Sequence, residues 1–143
     1  MHIKKEIMLH ADIKKVWKTF CQLEKWPMWT AYILEARWVT KDKWKKDSRF
    51  FQAIRGFGPV KQFKSEVKLI IAEPFKKITW VGTRKLINGT HTFEFIKTGK
   101  NTKVLNYERF KGPLAPLVFP LMRRHFEICF GQFLEGLKKE SER

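Results

Sequence analysis

The sequence predicts an α+β fold in which a seven-stranded antiparallel sheet curls around one long C-terminal helix, with two short helices after the first strand. Three observations carry that prediction. Apolar and polar residues alternate through six successive segments between residues 32 and 111. From Phe119 onward the apolar period becomes helical, and Phe119, Met122, Phe126, Cys129, Phe130, Phe133 and Leu137 fall on one stripe. Between the two regimes lies GPLAPLVFPLMRRH, residues 112–125, where Pro113, Pro116 and Pro120 mark the change.

Each element has its own local signal. Residues 2–10 read as a strand, with Ile3, Ile7 and Leu9 among polar neighbours. Asp12 is placed to cap a short helix carrying Ile13, Val16, Trp17 and Phe20. Pro27 interrupts the next segment, so 23–29 is a second short helix or a turn, flanked by Trp26 and Trp29. From 32 the period is two: Tyr32, Leu34, Ala36 and Trp38 share one face. TKDKWKKD is a polar turn, and 48–57 is the third strand. In 61–72 Phe63, Ser65, Val67, Leu69 and Ile71 face one way and Lys64, Glu66 and Lys68 the other, as in a sheet with one wet side. Strands 76–84, with Ile78 and Trp80 on one face, and 87–97, with His91, Phe93 and Phe95, precede the TGKN turn and a last strand over 102–111. A proline tolerated only in a first turn sets the regular helix at about 119–140.

Composition bounds the class. A chain of 143 residues suits one domain spanning 1–143, and 43% hydrophobic and 15% aromatic residues argue for a folded core over disorder. The 13 Phe and 6 Trp exceed what closing a small core requires and hint at an apolar cavity. No stretch approaches the roughly 20 apolar residues of a membrane span, and MHIKKEIMLH lacks the features of a signal peptide. Cys21 and Cys129 lie far apart without a CxxC spacing, which predicts reduced thiols and a cytoplasmic protein. The net charge of +16 favours anionic partners, but the lysines are scattered along the chain as a solvated surface would have them.

A twisted sheet of this size is concave, and only that face is large enough to take the apolar stripe of the helix. A curved sheet gripping a helix often leaves a cavity between them. HADIKKVWKTFCQLEKWPMW near the start and TKVLNYERFKGPLAPL before the helix carry Ala11, Val16, Trp17, Trp29, Glu108, Phe110, Gly112 and Leu114. In this order and spacing the chain resembles the START-related, birch-pollen-allergen-like superfamily (SRPBCC, polyketide cyclase/dehydrase-like) over nearly its whole length. The resemblance implies the helix-grip fold and a hydrophobic-ligand cavity between sheet and helix. It does not imply one reaction, because members include binders, chaperones and cyclases.

The residues narrow the chemistry only partly. His2, His10, His91 and His125 have no metal-ligand spacing, and neither HExxH nor a P-loop occurs, so no metal and no cofactor is expected. One pair stands out. If TGKN is a hairpin loop with Lys97 facing Thr102, the register sets His91 opposite Glu108, Phe93 opposite Asn106 and Phe95 opposite Val104. His91 and Glu108 then share the concave face, where a carboxylate would raise the His91 pKa and hold its tautomer. Arg49 and Arg55 read either as outward charges or as buried guanidiniums awaiting a ligand carboxylate.

Three functions are compatible with this pattern. The first is carriage or sequestration of a hydrophobic or amphipathic small molecule, such as a lipid or polycyclic compound. Its wall would be Phe63, Val67, Leu69, Trp80, Phe93, Phe95, Met122, Phe126 and Cys129, with His91 and Glu108 as polar anchors. The second is a cyclase or aromatase-type enzyme using His91 and Glu108 as base and acid. The third, a basic nucleic-acid binder, lacks a recognition signature, and its best aromatics alternate onto the buried face. In the proline-rich stretch the apolar residues cannot all lie on one helix side. Some therefore point outward, either as a lip that touches an anionic membrane or a partner beside Arg123 and Arg124, or as a helix entry packed under a neighbouring loop or in a dimer contact.

Overall fold

The computed structural model describes residues 1–143. Its strands are β1 (His2–Leu9), β2 (Ile33–Trp38), β3 (Arg49–Arg55), β4 (Gln62–Glu73), β5 (Lys77–Gly82), β6 (Asn88–Thr98) and β7 (Asn101–Lys111). The helices are α1 (Ile13–Cys21), α2 (Trp26–Trp29) and α3 (Ala115–Ser141), with a short 3₁₀ turn, Leu23–Lys25, leading into α2. The strands form one antiparallel sheet in the order β1-β7-β6-β5-β4-β3-β2. Sequential hairpins build six strands of it, and β1 closes beside the last. The half-barrel grips α3, which is the helix-grip arrangement the sequence implies.

Local chemistry explains the starts and turns. The Asp12 side chain accepts a hydrogen bond from the Lys15 N–H at 3.0 Å and so caps α1. Gly99, with φ +62°, turns the chain between β6 and β7, and Thr98 already pairs with Asn101. The loop is therefore two residues shorter than TGKN, but the expected register is unchanged. At Gly112 (φ +118°) the chain leaves β7 for α3. A side chain there would collide with the Leu86 carbonyl, and Leu114 N–H donates to that same oxygen at 3.0 Å.

All seven residues of the expected α3 stripe are buried. Three expectations are corrected. The helix starts at Ala115, not near 119, so Pro120 lies inside it. Pro120 lacks only the donor that would meet the Pro116 carbonyl, on a solvent-facing side, and the burial of Ala115 and Phe119 outweighs that loss. In β4 a bulge between Leu69 and Ile71 shifts the phase, so Ala72 opposes Ile78 and packs on the core in place of Ile71. In β2 a similar irregularity between Ile33 and Glu35 buries Ile33 and leaves Leu34 outside.

The core is unevenly filled, and this positions the site. Phe20 has ring centroids of Trp26, Trp44, Phe93 and Phe95 within 4.9–5.4 Å. The Trp26 indole donates to the Phe20 carbonyl at 2.8 Å and the Trp44 indole to the Cys21 carbonyl at 2.7 Å. With Phe50 and Trp38 these rings pack the α1 end of the concavity solid. The excess of aromatics that hinted at a cavity is thus spent largely on filling one half of the sheet. No helix is long and apolar enough to cross a membrane.

Candidate functional site

The other half of the concavity stays open. A cavity of about 360 Å³ lies between the sheet and the first half of α3. Phe63, Val67, Trp80, His91 and Phe93 form its sheet wall, Glu108 comes from β7, and Met122 and Phe126 close it from the helix. Its mouth is marked by solvent-exposed lining residues on two loops, Val60 after β3 and Thr83 and Arg84 after β5, with Val118 of α3 facing them.

Three expected wall residues stand elsewhere. Leu69 is fully buried and Phe95 packs edge-on to Trp17 and Phe20, so both belong to the solid half. Cys129 turns its Sγ toward His125 Nε2 at 3.5 Å. Helical spacing placed it on the buried stripe, but that stripe is wider than the cavity. Burial pushes the Cys129 thiol up to about 11 and that of Cys21 up to about 12, so both remain neutral. Arg49 and Arg55 are exposed, and Arg49 lies 3.8 Å from Glu66 on the outer face.

His91 and Glu108 are opposite one another in the β6–β7 ladder. Their facing polar atoms, His91 Nδ1 and Glu108 Oε1, are 3.7 Å apart, close but beyond a direct hydrogen bond. The imidazole is clamped, stacked on Phe93 and Phe130 with centroids at 4.9 and 4.7 Å and tilted against Trp80 at 4.8 Å. Its Nε2 pairs with Asn106 Oδ1. The Asn106 amide nitrogen donates to the Phe130 carbonyl at 3.5 Å, so the amide oxygen faces the ring and Nε2 must carry the proton. Nδ1 is then an acceptor turned toward Glu108.

Burial governs both protonation states. It lowers the His91 pKa to about 4, against a smaller upward pull from Asn106, and raises that of Glu108 to about 8. The expectation that a carboxylate raises the His91 pKa is therefore corrected. Desolvation keeps Glu108 protonated at neutral pH, and a neutral acid exerts no charge on its neighbour. Asn106, not Glu108, holds the tautomer.

Sequence reasoning passed over three residues. Asn106 was placed opposite Phe93 on the concave face, and that position already signalled a polar group beside His91. Asn88 lines the cavity with its Oδ1 buried and without a hydrogen-bond partner. Gly89 leaves room for the Glu108 carboxyl, since a side chain there would collide with Oε2. A glycine near a strand start carries no such message in sequence. No group of three His, Cys, Asp or Glu side chains comes together to hold a metal ion.

The cavity thus offers an aromatic wall, one protonated carboxyl and one orphaned amide oxygen. Solved structures of the same shape include a hypothetical protein from Helicobacter pylori, with TM-score 0.83, 17% identity, and 99% of this chain and 88% of that one covered. The Zhui aromatase/cyclase from a Streptomyces species matches with TM-score 0.81 at 10% identity over 100% and 94% of the two chains. A START superfamily protein from Mycobacterium smegmatis matches with TM-score 0.75 at 14% identity over 99% and 97%. At such identities the likeness is one of fold. No curated protein matches the chain in sequence. The family profile described as polyketide cyclase / dehydrase and lipid transport matches residues 1–142, and the chain belongs to that family.

Proposed function

We propose that this protein binds one uncharged, hydrophobic or amphipathic small molecule, for carriage or sequestration, in the cavity between sheet and α3. The observation that carries this reading is the cavity itself: about 360 Å³, walled by aromatics, with its buried titratable groups His91 and Glu108 neutral and the cations Lys64 and Arg84 only at its exposed edge. That volume lies in the range of small-molecule sites. The Glu108 hydroxyl would donate to a ligand oxygen, while Asn88 Oδ1 would accept from a ligand O–H or N–H. A ligand with a hydroxyl or carbonyl at one end of an apolar body meets both. We place this function in the cytoplasm, where Cys21 and Cys129 persist as free thiols. We do not extend it to nucleic acid, because stacking needs exposed aromatics and Phe75 is the sole aromatic among the exposed large hydrophobics.

Native mass spectrometry of the purified protein should show a copurifying small molecule. Trp26 and Trp80 line the cavity, so titration with a long-chain fatty alcohol should change tryptophan fluorescence saturably. The fatty acid of equal length should bind roughly tenfold more weakly at neutral pH, since its carboxylate is desolvated beside a neutral acid. Ser65→Phe, which fills the cavity from β4, should abolish both signals. Absence of a copurifying species together with an unsaturable titration would sink the reading.

A second reading, a cyclase or dehydratase-like enzyme, is favoured by one observation: the Glu108 carboxyl, with a pKa of about 8, is placed to give or take a proton near neutrality. His91 is less suited to that task, because Asn106 occupies its Nε2 and the rings of Phe93 and Phe130 stack on it. In this reading Glu108→Gln removes turnover and leaves ligand affinity within a few-fold. Equal loss of both would return Glu108 to the role of ligand anchor.

A further inference from the structure

The mouth of the cavity carries a surface unlike the rest of the molecule. Three segments meet there: 56–61 after β3, 83–87 after β5, and 111–124 from the end of β7 into α3. They are physically joined. Leu114 N–H donates to the Leu86 carbonyl at 3.0 Å, His125 Nε2 lies 2.9 Å from the Arg55 carbonyl, and the Phe57 ring packs on His125 at 5.0 Å. Val60, Arg84, Ile87 and Val118 from these segments line the cavity entrance.

Two properties coincide on this rim. Apolar side chains protrude from it, with Leu117 71%, Leu121 72% and Leu86 59% exposed, joined by Val60 and Leu114. Leu114, Leu117, Leu121 and Ile128 succeed one another at helical spacing on the side of α3 opposite the buried stripe. The charges of the three segments are all of one sign. Lys61, Arg84, Lys85, Lys111, Arg123 and Arg124 are present, and no Asp or Glu occurs in any of them. Arg123 is paired with Glu127 at 3.0 Å, one turn further along α3, but Arg124 has no acidic partner.

Isolated exposed leucines need no explanation, but a ring of them around an aperture does. Outward apolar side chains flanked by cations match the interface of an anionic bilayer, where leucines enter the acyl boundary and cations meet lipid phosphates. We propose that this rim docks on anionic membrane surfaces and that the cavity opens toward the bilayer when it does. The inference rests on the apolar-ligand reading for its purpose, since a water-insoluble ligand would then pass between bilayer and cavity without crossing water. The docking itself is measurable without any ligand.

The test is co-sedimentation of the whole protein with phosphatidylcholine vesicles, with or without phosphatidylserine. Binding should require phosphatidylserine and weaken as salt shortens the reach of the charges. Leu117→Asp and Arg124→Glu should each weaken it roughly tenfold or more, because the first puts a carboxylate in the acyl boundary and the second reverses a phosphate contact. Both positions are exposed, so folding is unaffected and thermal melts should coincide with the parent. Reversal of Lys45 and Lys46, in the loop at the other end of β3, should change nothing. Ser65→Phe should keep vesicle binding while losing the fatty-alcohol signal, which separates failure of docking from failure of ligand binding. No association with phosphatidylserine vesicles, or equal sensitivity to every charge reversal with none to Leu117→Asp, would overturn the proposal. The first outcome would turn attention to an acidic protein partner.

Discussion

Phe20→Ala is expected to cost about 3–5 kcal/mol, the range for emptying a large aromatic site in a packed core. Phe20 is fully buried and touches rings from four different parts of the chain, so no single neighbour can collapse into the space it leaves. A domain holds only about 5–15 kcal/mol in all, so the variant should melt roughly 10 °C lower and be close to unfolding at growth temperatures. Ile128→Ala, on the solvent side of α3, should stay within about 0.5 kcal/mol. Urea unfolding of the three proteins checks this. Equal midpoints for Phe20→Ala and the parent would mean that the α1 end is not the solid half of the core.

The second large effect is loss of stability as pH rises through the neutral range. Folded Glu108 stays protonated up to about 8, whereas in the unfolded chain it ionises near 4.5. Between those values the folded state holds the extra proton, so raising the pH favours unfolding. His91 has the opposite sign. Unfolded it takes a proton below 6.5 and folded only below about 4, so its contribution rises with pH across that interval. Where the two windows overlap the slopes oppose each other. From 6.5 to about 8 only Glu108 remains, and one proton is worth about 1.4 kcal/mol per pH unit, or roughly 2 kcal/mol across the window. Glu108→Gln should flatten this segment of the stability profile. It should leave the His91 titration in place, because the group it replaces is already uncharged at neutral pH. Denaturant unfolding at several pH values and an NMR titration of His91 read the two effects separately. A parent profile as flat as that of Glu108→Gln would show that Glu108 is ionised in the fold.

The sequence by itself determined the element order, the antiparallel sheet, the α3 stripe and the His91–Glu108 register. Each depends on a local period or a short turn, and both are written directly in residue order: a strand repeats every two residues, a helix every 3.6. The hairpin at Gly99 carried the register across to β7, so two side chains 17 positions apart in the chain could be paired without coordinates. Where the period was interrupted, the sequence misled. Bulges in β2 and β4 turned Leu34 outward and passed the inward place of Ile71 to Ala72. Such irregularities answer to sheet curvature, a property of seven strands together, which no single segment records.

Only the tertiary structure decided which inward residues fill space and which enclose it. Leu69, Phe95 and Val67 look alike in sequence, but two are packed in the aromatic half and one faces the cavity. That division depends on where α1, α2 and the Trp44 loop press into the concavity. The protonation of Glu108 was equally out of reach. A carboxylate beside a histidine suggests an ion pair until its burial is known, and here desolvation outweighs attraction and leaves both groups neutral. Periods specify faces, whereas cavities and charges depend on distances between faces, and those exist only once the chain has closed on itself.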